Sequence, residues 1–97
     1  MVTNEEALQA YEGALSPFEG EFSTDKWGRH FKGKNAKGEW FDINFSTLGK
    51  GYSVGADMHE RGMACPCYTL EGVILNTENA IRYANPKRKK REQLTLW

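Results

Sequence analysis

Cys65 and Cys67 stand two residues apart, a spacing that points both sulfurs to the same side of an extended segment and so permits chelation. With His59 they form a weak metal-like grouping. A structural zinc site wants four ligands, usually two spaced pairs, and here the second pair is missing. Only the distant His30 and carboxylates such as Asp57 and Glu60 remain. The ligand count therefore predicts no metal and no cofactor, and reads the thiols as small buried hydrophobes. A thiol enzyme would need Cys65 or Cys67 activated by His30 or His59, and nothing in the spacing pairs them. Gly49-Lys50-Gly51 is too short for a phosphate loop and reads as a turn, and neither a nucleophile elbow nor a zinc-protease helix is recognisable. Glu5 and Glu6 are adjacent on a helix and do not face one another. An enzyme is not expected.

A second chemistry is suggested by Lys26-Trp27-Gly28-Arg29-His30-Phe31-Lys32, followed by Lys34 and Lys37. Cations interleaved with aromatics are the composition of single-strand nucleic-acid platforms, where bases stack on rings and phosphates meet cations. The same letters describe a half-buried strand whose Trp27 and Phe31 serve a core while the lysines face water. The acidic surroundings would weaken phosphate affinity and favour the strand. Trp40, leaning outward on the next strand, is ambiguous in the same way.

The end of the sequence carries the most specific string. Gln93-Leu94-Thr95-Leu96-Trp97 places two leucines and a tryptophan directly after Lys87-Arg88-Lys89-Lys90-Arg91, where a tail is normally polar. Clustered apolar side chains of this kind mark a contact surface, either a last strand folded onto the chain's own domain or a docking segment for another protein. The string resembles the bacterial sliding-clamp binding motif: a glutamine, a leucine, a small or acidic residue, a second leucine and a terminal aromatic. The resemblance covers five of the 97 residues. It implies that Leu96 and Trp97 fill the deep pocket of an apolar groove, that Leu94 packs beside them, and that Gln93 reaches a polar subsite with an amide that both donates and accepts. Thr95 stands where serine or aspartate is commoner and Trp97 where phenylalanine is commoner. Threonine keeps the small hydroxyl, and tryptophan keeps the flat apolar surface of an effective anchor. Pro86 and the five cations after it repel packing, which suits a tether. Because a sliding clamp encircles DNA, Lys87, Arg88, Lys89, Lys90 and Arg91 are candidate contacts to phosphate, although a solvated, solubilising tail explains the same run.

Composition narrows the partners. The formal charge is zero, yet residues 1–85 carry eight basic and twelve acidic side chains while residues 86–97 carry five and one. The first 25 residues contain six acids and no lysine or arginine, so this end repels phosphate. No apolar run approaches a membrane span, and the N-terminus lacks the pattern of a signal peptide. Two close cysteines agree with a reducing compartment, so a cytoplasmic protein without membrane contact is expected.

These side chains must be positioned by one small domain, the default for 97 residues. Thr3 followed by Glu6 reads as a capping box, and Ala7, Leu8, Tyr11 and Leu15 recur at helical spacing, predicting a helix over 4–14. Phe18 and Phe22 fall in a connector. Trp27 to Lys32, Glu39 to Ser46 and Gly51 to Asp57 read as strands separated by glycine-containing turns. In the middle strand Phe41, Ile43 and Phe45 share one face, predicted to be core, while Trp40, Asp42 and Asn44 share the other. Met58 to Pro66 reads as loop, and Thr77 as the cap of a second helix over 78–84, stopped by Asn85-Pro86.

The class is α+β, with a small antiparallel sheet of three to four strands packed against one or two helices. Residues 1–85 form the body, and 86–97 a flexible basic tether ending in the linear motif. The leading expectation is a non-enzymatic modulator of bacterial DNA replication or repair that binds the sliding clamp through Gln93 to Trp97. The alternatives are a phage or mobile-element inhibitor or adaptor, of the kind anti-CRISPR proteins exemplify, that binds a host protein through the body, and a single-stranded nucleic-acid binder using Trp27 and Phe31.

Overall fold

Thr3 opens helix α1 (Asn4–Leu15) as its spacing to Glu6 predicts: the Glu6 N–H donates to Thr3 Oγ1 at 3.1 Å and the Thr3 N–H donates to Glu6 Oε1 at 3.0 Å. Two backbone donors that the first helical turn leaves unpaired are satisfied by this exchange. The computed structural model describes residues 3–89. After α1 come β1 (Glu21–Asp25), β2 (Gly28–Lys34), β3 (Trp40–Leu48), β4 (Gly51–Met58), β5 (Arg61–Cys67) and helix α2 (Leu70–Ala84).

The architecture is α+β, and the sheet has five strands rather than the expected three or four. Each strand pairs antiparallel with its sequence neighbour, in the order β1-β2-β3-β4-β5. The two strands missing from the sequence reading are the two edges. β1 lies in the predicted connector and carries one apolar side chain, Phe22, too little for a visible alternation. β5 lies in the predicted loop and contains Gly62 and Pro66. An edge strand tolerates proline because its outer side needs no ladder donor. The β1–β2 hairpin closes through two residues, Lys26 and Trp27, and β2 starts at Gly28 (φ 136°), where an added Cβ would lie 2.3 Å from the Phe45 carbonyl oxygen.

Helix α2 begins a full two turns earlier than expected. Thr69 is the cap, its Oγ1 accepting from the Gly72 N–H at 3.0 Å. Thr77 is instead buried inside the helix, where its hydroxyl donates to the Val73 carbonyl at 2.7 Å. That internal bond satisfies a polar group that would otherwise prefer a helix end. The helix stops where predicted: Asn85 adopts the left-handed region (φ 56°) and its N–H donates to the Ile81 carbonyl at 2.7 Å.

Both helices cover one face of the sheet. Phe41, Ile43 and Phe45 point into that face as their alternation predicts, joined by Phe31, Tyr52, Val54, Ala56 and Met58. The aromatic rings form a continuous row, with centroids 5.9 Å apart for Phe31–Phe41 and 5.6 Å for Phe45–Tyr52. Tyr11 inserts from α1, its ring 5.4 Å from Phe45, and its hydroxyl donates to the Ile43 carbonyl. Burial pushes that hydroxyl far above its ordinary pKa, so it remains a donor. Among the described residues the opposite face carries no helix. Among the described residues no helix is long and apolar enough to cross a membrane.

Candidate functional site

Asn35 fixes where the chain leaves the body. Its side chain is buried and uses its full hydrogen-bonding capacity. Nδ2 donates to the Ala84 carbonyl at 3.0 Å and to Glu39 Oε1 at 2.9 Å, while Oδ1 accepts from the N–H groups of Lys37 and Glu39, each at 3.0 Å. The turn after β2 is thereby tied to the end of α2. Asn35 bridges Pro86, and the next residues run antiparallel to 17–19: the Glu19 N–H donates to the Lys87 carbonyl at 2.7 Å and the Lys89 N–H donates to the Pro17 carbonyl at 2.8 Å. The Arg88 guanidinium sits over the Phe18 ring, 5.1 Å from its centroid. Lys87 Nζ lies 3.6 Å from Glu19 Oε1.

This path closes an open groove of about 590 Å³ at one end of the sheet. Lys32, Lys34, Trp40 and Lys87 line it together with Glu19 and Glu21. Lys34 and Trp40 are direct cross-strand partners on the helix-free face, and Lys32 stands two residues along the same strand. Alternation on β3 turns Trp40 away from the core, as its place opposite Phe41 and Ile43 predicts. It is 44% exposed.

Beside the groove, the helix-free face carries a charge network that the sequence does not reveal. His30 lies between two carboxylates, with Nδ1 3.0 Å from Asp42 Oδ1 and Nε2 3.0 Å from Asp25 Oδ1. Burial of the ring disfavours its charge, but the hydrogen bonds to Asp25 and Asp42 and their charges outweigh that cost and raise its pKa. The same contact with His30, followed by the Trp27 N–H, lowers the pKa of Asp25. With a carboxylate on each nitrogen, the ring clamps β1 and β3 across β2, and both nitrogens are engaged. Asn44 continues the network, its Nδ2 donating to Asp57 Oδ2 at 3.2 Å. Three residues distant in sequence meet here only because the strand register brings them together.

The cysteine chemistry is not assembled. Cys65 and Cys67 do point to one side of β5, as their spacing predicts, and that side faces the core. Burial raises the pKa of the Cys67 thiol. His59 lies in the turn before β5, exposed, 3.6 Å from Glu60, so the length of the strand, roughly 20 Å, separates it from Cys67. Among the described residues no group of three or more histidine, cysteine or acidic side chains could hold a metal. Compared with known families, curated proteins and solved structures, the chain matches none.

The segment Lys26 to Lys32 splits between two environments. Phe31 is in the core, as the strand reading predicts, and is not available to stack on a base. Trp27, expected beside it, is 72% exposed. The tight turn takes Trp27 out of the strand's alternation, and the Lys26 ammonium lies 5.1 Å from its ring centroid. Arg29 turns toward α1, its Nε 2.8 Å from Glu12 Oε2. Of the sequence-named tail, Lys87, Arg88 and Lys89 are placed as above, while Lys90, Arg91 and Gln93, Leu94, Thr95, Leu96 and Trp97 lie outside the described residues.

Proposed function

We propose that this chain is a small, non-enzymatic, cytoplasmic modulator of bacterial DNA replication or repair that docks on the sliding clamp through Gln93, Leu94, Thr95, Leu96 and Trp97. The observation that carries the reading is the string itself, a glutamine, two leucines and an aromatic in the order and spacing of the clamp motif. The described body carries the chain along residues 17–19 as far as Lys89, four residues before the motif begins. A clamp groove shared by several clients makes such a peptide a competitor by mass action, so occupancy by this chain displaces them in proportion to its concentration.

Titration of purified clamp with the full chain and with a Leu96→Ala/Trp97→Ala variant tests the reading. Buried aromatic and aliphatic anchors each contribute about 2 kcal/mol or more, so the variant is expected to bind at least about a hundredfold more weakly. Equal binding by the two proteins removes the proposal.

A further inference from the structure

We infer that the groove framed by Trp40, Lys32, Lys34 and Lys87 binds single-stranded nucleic acid, with a base stacked on the Trp40 indole and backbone phosphates on the three lysines. The inference stands apart from clamp docking, because none of these residues belongs to the terminal motif.

Stacking requires a ring with a free face, and Trp40 is a half-exposed indole on a sheet face that no helix covers among the described residues. Every base has a π-face, but in a duplex it is already stacked on its neighbours, so an accessible aromatic selects unpaired strands. The groove, about 590 Å³, has room for one, and Gly20 and Gly33 line part of it with backbone.

The cations are arranged as a row rather than a cluster. Lys32 and Lys34 are about 6.7 Å apart along β2, on the same face. Neither has an ion-pair partner among the described residues. Lys87 enters from the other wall, and its contact with Glu19 is a half-exposed surface pair, 48% and 45% accessible at 3.6 Å, of a kind that a phosphate displaces readily. Nearby acids set the strength of the site. Asp42 faces Lys32 across the strands, but its carboxylate is taken by His30. Glu21 also faces Lys32, and with Glu19 it leaves the lining only one positive charge in excess. Binding is therefore weak and salt-sensitive.

The test is fluorescence anisotropy of a labelled oligothymidylate of about 12 nucleotides with the full chain. Three phosphate contacts predict a log–log salt slope of about −2. Trp40→Ala is expected to weaken binding about tenfold, Lys34→Gln to flatten the slope by about 0.7, and Trp27→Ala to change neither. A duplex of the same length should bind less tightly. Lys34→Gln, a surface change, carries the test if Trp40→Ala proves unfolded by circular dichroism. Clamp titrations separate the two proposals: the Trp40 and Lys34 variants keep clamp affinity, and Leu96→Ala/Trp97→Ala keeps oligonucleotide affinity. Wild-type affinity in the Trp40 and Lys34 variants, an equal loss on Trp27→Ala, or duplex bound as tightly as single strand would overturn the inference.

Discussion

The two ends of the sheet each present a tryptophan next to a lysine, and they are not equivalent. At the β1–β2 hairpin, Trp27 and Lys26 are sequence neighbours on a two-residue turn, and the ring is almost wholly in solvent. At the other end, Trp40 shares a groove with lysines from β2 and from the segment after α2. Local composition is the richer at Trp27. Tertiary convergence is the richer at Trp40, and only convergence can hold a ligand from more than one side.

The comparison can be broken most forcefully through Phe31, which sits between the two ends in sequence and belongs to neither in space. Phe31→Ala should cost about 3–5 kcal/mol in urea unfolding, as for other buried phenylalanines, and a loss under about 1 kcal/mol would mean that the ring is not in the core. Next comes the lock at the groove end. Asn35→Ala removes two donated and two accepted hydrogen bonds and strands the Ala84 carbonyl, for an expected loss of about 1–3 kcal/mol in the same measurement.

The third effect is pH-dependent. The folded protein holds the His30 proton more tightly than the unfolded chain, so the clamp's contribution is complete below the unfolded pKa of about 6.5 and fades as pH rises through the higher folded value. The stability gap between wild type and His30→Gln should therefore shrink by on the order of 1 kcal/mol between about pH 5.5 and about pH 8.5. A gap that widens over that range would reverse the assignment of charge. The smallest effect belongs to the exposed end: Trp27→Ala should stay within about 0.5 kcal/mol of wild type, and a larger loss would show that the ring is covered.

Sequence reasoning read the fold where one residue's neighbours decide its conformation. The capping box at Thr3, the stop at Asn85 and the alternation of Phe41, Ile43 and Phe45 are local, and each is where the letters place it. It failed where two local signals compete. Thr69 and Thr77 are equally good caps on paper, and only burial against the sheet assigns one to the helix end and the other to its interior. The edge strands escaped because an edge is half solvated and needs little apolar pattern. The groove and the His30 clamp were invisible for a different reason. Asp25, His30 and Asp42, like Lys34, Trp40 and Lys87, become neighbours through strand register and the course of the chain after α2, which no spacing encodes.

The lock at Asn35 and the bond from the Lys89 N–H to the Pro17 carbonyl hold the chain as far as Lys89, which serves as a pivot. Eight positions separate Lys89 from Trp97, and a polypeptide spans at most about 3.5 Å per residue, so any partner gripping the final indole lies within a leash of about 28 Å from that pivot. Confinement on that scale raises the local concentration of whatever the partner carries to about the millimolar range. A groove too feeble to retain a strand from bulk solution would then be filled by one delivered on the same leash.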